Sequence, residues 1–345
     1  MAVLRVGIAG YGLAGRVFHA PLIAATDGLD LHAVMTGSPE RAAQVAAEHP
    51  GARVVATLDD LLEDVDVLVV ATPNASHVPV ALAGLQRGLA VVVDKPLAAT
   101  AAGAEQLLRA GGRLTVFHNR RWDGDFLTVR RLLRERALGD VVRFESRFER
   151  FRPDVDPGRW REQPDPAAGG GLLLDLGPHL IDQAVQLFGP PVEVYAELHR
   201  RRPGARVEDD VFLALEHAGA VRSHLWMSTT AALPGPRFHI TGLAGALTTG
   251  GLDPQEAQLA GGLRPGDTGY GIAPAGRLND RDVDLTPGRY QDFYAGVLAW
   301  AGGSAPPPVD PADGLLVLEV IEAARRSAAQ HAVVRVGGPG PSAQT

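Results

Sequence analysis

Residues 3–15 read Val3-Leu4-Arg5-Val6-Gly7-Ile8-Ala9-Gly10-Tyr11-Gly12-Leu13-Ala14-Gly15, an apolar run that ends in a G-x-G-x-x-G string and leads into Arg16-Val17-Phe18-His19-Ala20-Pro21-Leu22. The apolar run reads as a buried strand and the stretch after the glycines as a helix. At such a junction Gly10 permits the tight turn, Gly12 lets the backbone approach a diphosphate, and Gly15 lets helix and strand pack closely. The helix N-terminus turns its N–H groups toward the anion. Gly10, Tyr11, Gly12, Leu13, Ala14 and Gly15 are therefore the expected cradle of a dinucleotide; a glycine-rich turn without ligand is the plainer alternative.

Outward from this stretch, apolar runs at residues 5–9, 31–35, 54–55, 67–71, 90–93 and 114–117 alternate with alanine- and leucine-rich segments. That alternation predicts strand–helix–strand units and a parallel sheet covered on both faces. After Asn119 the pattern changes. An arginine-rich helix is expected over residues 127–138 and longer strands over 141–148, 192–198, 211–216 and 221–227. A helix over 177–188 places Leu180, Ile181, Ala184, Val185 and Leu187 on one face. Long strands in succession predict a large, mostly antiparallel open sheet. The glycine- and proline-rich stretch 250–288 reads as surface loops, 314–330 as a last helix and 339–345 as a frayed end. Phe293, Val297 and Trp300 are spaced as a core helix face. The expected organisation is an α/β domain over residues 1–120 and an α+β domain over residues 121–345.

A chain of 345 residues has the length of about two domains. At 46% hydrophobic and 21% charged it has a globular composition, neither disordered nor fibrous. Its formal charge of -7 gives no attraction to nucleic acid or anionic lipid, so neither is an expected partner. The absence of cysteine excludes disulfides, thiolate catalysis and cysteine-bound zinc, and suits a reducing, cytoplasmic setting. Arg5 and the glycine cluster cut the first apolar run short of a signal sequence, and no later run reaches the roughly 20 residues of a membrane span.

An acidic side chain at the end of the second strand would bind the ribose hydroxyls of NAD. Here Asp27 and Asp30 precede the strand, and its end reads Met35-Thr36-Gly37-Ser38-Pro39-Glu40-Arg41. Thr36, Ser38 and Arg41 are the expected contacts, and the missing acid with Arg41 nearby favours NADP over NAD, unless Arg41 is only a solvated helix residue. The fourth strand leads into Thr72-Pro73-Asn74 and His77, the fifth into Asp94-Lys95-Pro96. Both lie where ligands of doubly wound sheets bind. Partial desolvation or a neighbouring cation can bring a lysine such as Lys95 into acid–base range, although alone the segment reads as an ordinary strand end. Asp175 and His179 are four residues apart and so share a helix face. A carboxylate beside an imidazole suits proton handling; the alternative makes Asp175 a helix cap and His179 a satisfied histidine. A metal is not expected, since no second histidine stands at ligand spacing.

Gly10–Gly15, Asp94-Lys95-Pro96 and Asp175 with His179 together resemble the Gfo/Idh/MocA oxidoreductases. The stretches Gly10 to Leu22, Phe117-His118-Asn119-Arg120-Arg121-Trp122-Asp123 and Gly251-Leu252-Asp253-Pro254-Gln255-Glu256 are similar to the branch containing NADP-linked scyllo-inositol dehydrogenase. The resemblance implies a Rossmann domain followed by an α+β domain that binds substrate and associates through its open sheet into homodimers or homotetramers. It implies that Lys95, Asp175 and His179 converge on the reacting hydroxyl, with NAD(P) as cofactor and Asp94 and Lys95 beside it. Two departures stand out: Asp94 replaces a glutamate, and Gly37-Ser38 stands where the branch commonly has Ser-Arg. A polyhydroxylated substrate needs many polar contacts, for which His118, Asn119, Arg121, Trp122, Arg152, Trp160, Arg161, Tyr290 and Tyr294 are the candidates; Arg120 and Arg121 paired with Asp123 or Asp125, and Trp122 or Trp160 in the core, are the structural alternatives. The expected function is hydride transfer between nicotinamide and a CH–OH carbon of a sugar or cyclitol. The alternatives are a nicotinamide-binding redox sensor without turnover and a reductase of a non-sugar carbonyl.

Overall fold

Six strands, β1 (Leu4–Ala9), β2 (Leu29–Met35), β3 (Arg53–Val55), β4 (Val67–Val70), β5 (Ala90–Asp94) and β6 (Arg113–Phe117), form a parallel sheet in the order β3-β2-β1-β4-β5-β6. Val6, Ile8, Val67, Val69, Val91 and Val92 are fully buried, which is why these strands are apolar on both faces instead of alternating. Between them lie α1 (Ala20–Ala24), α2 (Pro39–Glu48), α3 (Leu58–Leu62), α4 (His77–Gln86) and α5 (Ala101–Ala110). Ser38, Thr57 and Thr100 start α2, α3 and α5 by accepting hydrogen bonds from Arg41, Asp60 and Gly103. The strand order reverses between β1 and β4, and the crevice at such a reversal is where doubly wound sheets bind ligands. The computed structural model describes residues 3–156, 158, 162 and 169–337.

The second sheet follows α6 (Gly124–Arg134). Its strands are β7 (Val141–Glu149), β8 (Pro191–His199), β9 (Asp210–His217), β10 (Arg222–Ser228), β11 (Phe238–Gly242), β12 (Ala246–Thr249), β13 (Gly276–Leu278), β14 (Arg281–Val283) and β15 (Val334–Arg335), in the order β14-β13-β12-β11-β7-β10-β9-β8-β15. Among the described residues of this sheet, only β7 and β10 pair in parallel. The mixed, mostly antiparallel sheet expected from the long alternating runs is therefore present. Along β9, Val211, Leu213 and Leu215 are buried while Phe212, Ala214 and Glu216 point to the opposite face. The helix α7 (Leu172–Phe188) covers the sheet over β7, β9 and β10. Its seat includes a buried cation: Arg237 lies over the rings of Phe148 and Phe238 and donates to Ser146 Oγ at 2.5 Å and Gln183 Oε1 at 2.6 Å.

The remaining helices are α8 (Gln255–Ala260), α9 (Gln291–Ala301) and α10 (Pro311–Gln330). Phe293, Val297 and Trp300 of α9 are buried. The first compact unit consists of the chain up to Gly124 together with Asp253–Ile272 and Pro287–Gly314; Asp125–Leu252, Ala273–Thr286 and the chain from Leu315 form the second. The chain leaves the first unit after Gly124 and returns to it twice. Residues 250–288, read as loops, contain α8 and the β13–β14 hairpin. Buried polar side chains hold the returning segments. Arg120 pairs with Asp123 at 3.4 Å and Glu256 at 2.9 Å, Tyr290 donates to Asp123 at 2.6 Å, and Asp253 accepts from the Gly124 N–H at 2.7 Å. Apolar periodicity carries no trace of such polar ties. Residues 339–345 lie outside the described residues. Among those described, no helix is long and apolar enough to cross a membrane.

Candidate active site

The glycine turn is built as its spacing requires. Gly10 has φ of 100°, and a Cβ there would lie 2.6 Å from the Ala71 carbonyl oxygen. A Cβ on Gly15 would strike the Gly10 carbonyl oxygen, whereas one on Gly12 would meet nothing within 4 Å. Gly10 and Gly15 thus serve the turn itself, and Gly12 faces the open side that a diphosphate would fill. The helical turns that follow, Ala14–His19, are π-wound, and Leu13 is exposed. Tyr11 contributes backbone to the turn, but its buried side chain donates to Glu48 at 2.9 Å. Arg16 hydrogen-bonds the same carboxylate and holds it below the usual carboxylate range; burial and Glu48 push the Tyr11 hydroxyl well up. At the end of β2, Thr36 Oγ1 accepts from the Ser38 N–H at 3.2 Å, Ser38 caps α2, and Arg41 is exposed.

At the ends of β4 and β5, Asn74 is buried, and Thr72 Oγ1 is buried with no hydrogen-bond partner among the described residues. The Lys95 N–H donates to Asp94 Oδ1 at 2.9 Å, and the Lys95–Pro96 bond is cis. Fully buried His19 sets its Nε2 3.8 Å from the Asp94 carboxylate and its Nδ1 2.6 Å from Tyr294 Oη. Burial alone would raise the Asp94 pKa; His19, with Lys95 adding to it, outweighs burial and holds the carboxyl below its ordinary value. Lys95 is the only lysine in the chain, for every other member of its 33 Lys and Arg residues is arginine. Guanidinium does not release its proton in proteins, whereas an ammonium does, so this position alone has a lysine-type acid. A residue count carries that signal.

In the second unit, α7 starts at Leu172, five residues before the expected start, with Gly171 at φ of 98°. The Glu208 backbone oxygen accepts from the Leu172 N–H at 3.0 Å and its carboxylate from the Leu173 N–H at 3.3 Å. Glu208 therefore does the capping that the alternative reading gave to Asp175. Burial raises the Glu208 pKa. Asp175, in the first turn, lines a cavity of about 460 Å³ together with Arg150, Arg152, Arg202, Glu208 and Ser228. Arg202 is ion-paired to Glu162 at 2.8 Å and Asp209 at 2.9 Å. His179 follows one helical turn later, buried, its ring edge-on to Phe148 at 6.0 Å.

The other candidates divide between cavity and interior. Arg152 is exposed on the cavity wall that Asp175 lines. His118 and Asn119 are buried, and Arg121 bonds Asp313 at 2.7 Å. Trp122 packs edge-on against Phe293, Tyr290 is fully buried on Asp123, and Tyr294 on His19. Trp160 and Arg161 lie outside the described residues. Glu208 and His19 were not singled out from sequence, because their partners are 35 and 75 positions away.

Residues 4–116 match the oxidoreductase family with an NAD-binding Rossmann fold, and residues 126–248 match the GFO/IDH/MocA C-terminal domain. The chain is 42% identical to an uncharacterised oxidoreductase, YdgJ, of Escherichia coli (strain K12), over 96% of this chain and 98% of that protein. It is 35% identical to scyllo-inositol 2-dehydrogenase (NADP(+)) IolW of Bacillus subtilis (strain 168), over 96% and 95%. The solved structure of an oxidoreductase from Bacillus cereus superposes with a TM-score of 0.85 at 25% identity, covering 98% of this chain and 99% of that one. With both domain types matched in order and relatives aligned over nearly its whole length, the chain belongs to the GFO/IDH/MocA family of oxidoreductases, with an NAD(P)-binding Rossmann domain.

Proposed function

We propose that the protein is a cytoplasmic dehydrogenase that interconverts a CH–OH group and its carbonyl on a sugar or cyclitol, using NADP in preference to NAD. The observation that supports this most is the placement of the chain's one lysine at the end of β5, in the sheet whose β1 ends in the glycine cradle. Gly10, Gly12 and Gly15, with Thr36, Ser38 and Thr72, would hold the dinucleotide, and Arg41 is the cation available to a 2′-phosphate. A bound nicotinamide supplies or accepts the hydride. In this reading Lys95 donates a hydrogen bond to the substrate oxygen and stabilises the charge that grows on it. His179 takes the hydroxyl proton during oxidation and returns it during reduction, while Asp175 accepts a hydrogen bond from a neighbouring hydroxyl. Lys95 and His179 can exchange these roles. The polar cavity beside Asp175, with carboxylates, guanidinium groups and a hydroxyl, suits a polyhydroxylated ring. The inositol dehydrogenase among the relatives points to the same substrate class.

The test is a screen of inositols, sugars and sugar acids with both cofactors, begun with scyllo-inositol and its 2-keto form and followed by the absorbance of reduced nicotinamide. Turnover of a polyol with the lower KM for NADP is expected. Tight cofactor binding with no turnover of any substrate would replace this reading with that of a sensor, and turnover of non-sugar carbonyls alone with that of a different reductase.

A further inference from the structure

His77 opens α4 directly after the Thr72-Pro73-Asn74 turn, and its side chain is 1% exposed. Each ring nitrogen faces a backbone carbonyl: Nδ1 lies 2.8 Å from the Pro96 oxygen and Nε2 2.9 Å from the Thr72 oxygen. Carbonyl oxygens only accept hydrogen bonds. A neutral imidazole has one N–H and one lone pair, so it satisfies one of these carbonyls and turns a lone pair toward the other; only the imidazolium donates to both. Both carbonyls lie in segments that the site uses. Thr72 follows β4 and touches the space a Cβ on Gly10 would need, and Pro96 directly follows Lys95. The charged groups facing the ring are Asp94 and Lys95, both at the end of β5. Burial, the largest influence, lowers the His77 pKa and Lys95 adds to this, while Asp94 and the two carbonyls oppose it.

We infer that His77 is a positioning residue for Lys95: its ring ties the backbone that carries the lysine to the turn after β4, and the tie closes at both ends only when the ring holds its second proton. This rests on the reading that Lys95 acts in the reaction. His77 itself has both nitrogens spent on backbone, so its influence on turnover passes through where it holds the lysine.

The single lysine makes the inference measurable in the full-length protein. Reductive methylation with ¹³C-formaldehyde labels Lys95 and the N-terminal amine alone, and ¹⁵N-histidine reports the ring nitrogens. In the wild type, the His77 nitrogens are expected to pass from one proton to two on acidification, below the ordinary imidazole range, and the Lys95 methyl signal is expected to move with the same midpoint. In His77→Gln, which keeps one donor group, that movement should disappear. Below that midpoint, where only the wild-type ring ties both carbonyls, its kcat should fall ~10-fold or more relative to wild type, a loss on the scale of one misplaced proton-transfer group. Its Kd for NADPH should change less than its kcat, because the Thr72 turn that the ring also ties is one of several contacts to the dinucleotide, whereas Lys95 acts on the substrate. His77→Phe, which keeps ring bulk and no donor, should lose more; if it does not fold, His77→Gln carries the test. An unchanged kcat and an unchanged Lys95 signal in His77→Gln, alongside an inactive Lys95→Ala, would overturn this inference alone. Retained turnover in Lys95→Ala would instead overturn the functional reading beneath it, and the inference with it.

Discussion

An ammonium at a strand end serves proton transfer only if it can give up its proton, which separates Lys95 from every arginine of this protein. Lys95→Arg keeps the charge and is nonetheless expected to lower kcat by ~10²–10⁴-fold, with cofactor Kd from fluorescence titration nearly unchanged. A variant that retains full turnover would remove proton transfer from the lysine's role. The glycines separate in a similar way. Gly15→Ala forces a methyl group onto the Gly10 carbonyl and should cost about 1–3 kcal/mol of stability by urea unfolding. Gly12→Ala places its methyl group more than 4 Å from any non-neighbouring atom of the described residues, so its melting temperature should match wild type while cofactor affinity falls. Equal affinity in Gly12→Ala would show that the diphosphate does not lie on that side.

At the scale of one element, α7 owes its first turn to a residue 35 positions away in sequence. The Glu208 carboxyl is raised by burial, so the folded chain binds its proton more tightly than the unfolded chain. That contribution is whole below the ordinary glutamate range and is lost as pH rises through the raised value. Glu208→Gln keeps an acceptor for the Leu173 N–H and has no charge to desolvate. It should therefore raise the melting temperature at about pH 8 and leave it nearly unchanged at about pH 4, a difference set by proton linkage. A loss of stability at the higher pH would mean that the carboxylate charge is worth more to the helix terminus than its desolvation costs. The early start of α7 has the same origin. Gly169-Gly170-Gly171 reads as loop up to the residue that Glu208 caps, and Pro178 hides the helical run that continues through it.

At the scale of the whole molecule, the buried network around Arg120 makes one unit out of three stretches of chain. Arg120→Met removes the guanidinium that pairs with the buried Asp123 carboxylate and should cost ~3–5 kcal/mol in urea unfolding, the usual penalty for breaking a buried pair. A loss below 1 kcal/mol, which is about the net value of an ordinary hydrogen bond, would show that the returning segments are held by apolar packing instead. The second sheet bears on assembly. Its face opposite α7 carries Phe212 and Trp226, with ring centroids 5.1 Å apart and the Arg147 guanidinium 4.0 Å above the indole. We propose that homo-oligomers form through this face, and Trp226→Glu should then shift the mass measured by light scattering to that of one chain. An unchanged mass would place the association elsewhere.

Local sequence was enough for the parallel sheet, the glycine turn and the long alternating strands, because each rests on periodicity or on steric demands within a few neighbouring residues. Ala71 crowds Gly10 and Gly10 crowds Gly15 through the geometry of one strand–turn–helix junction, which the spacing of three glycines already encodes. The solitary lysine was equally available as a count. What only the folded chain decided is the set of polar partnerships across long separations: Glu208 with α7, His19 with Asp94, His77 with both carbonyls, and Arg120 with Glu256. A hydrogen bond depends on two groups lying within about 3 Å and an ion pair on their lying within about 4 Å, and that proximity is set by tertiary packing, on which residue type and spacing are silent.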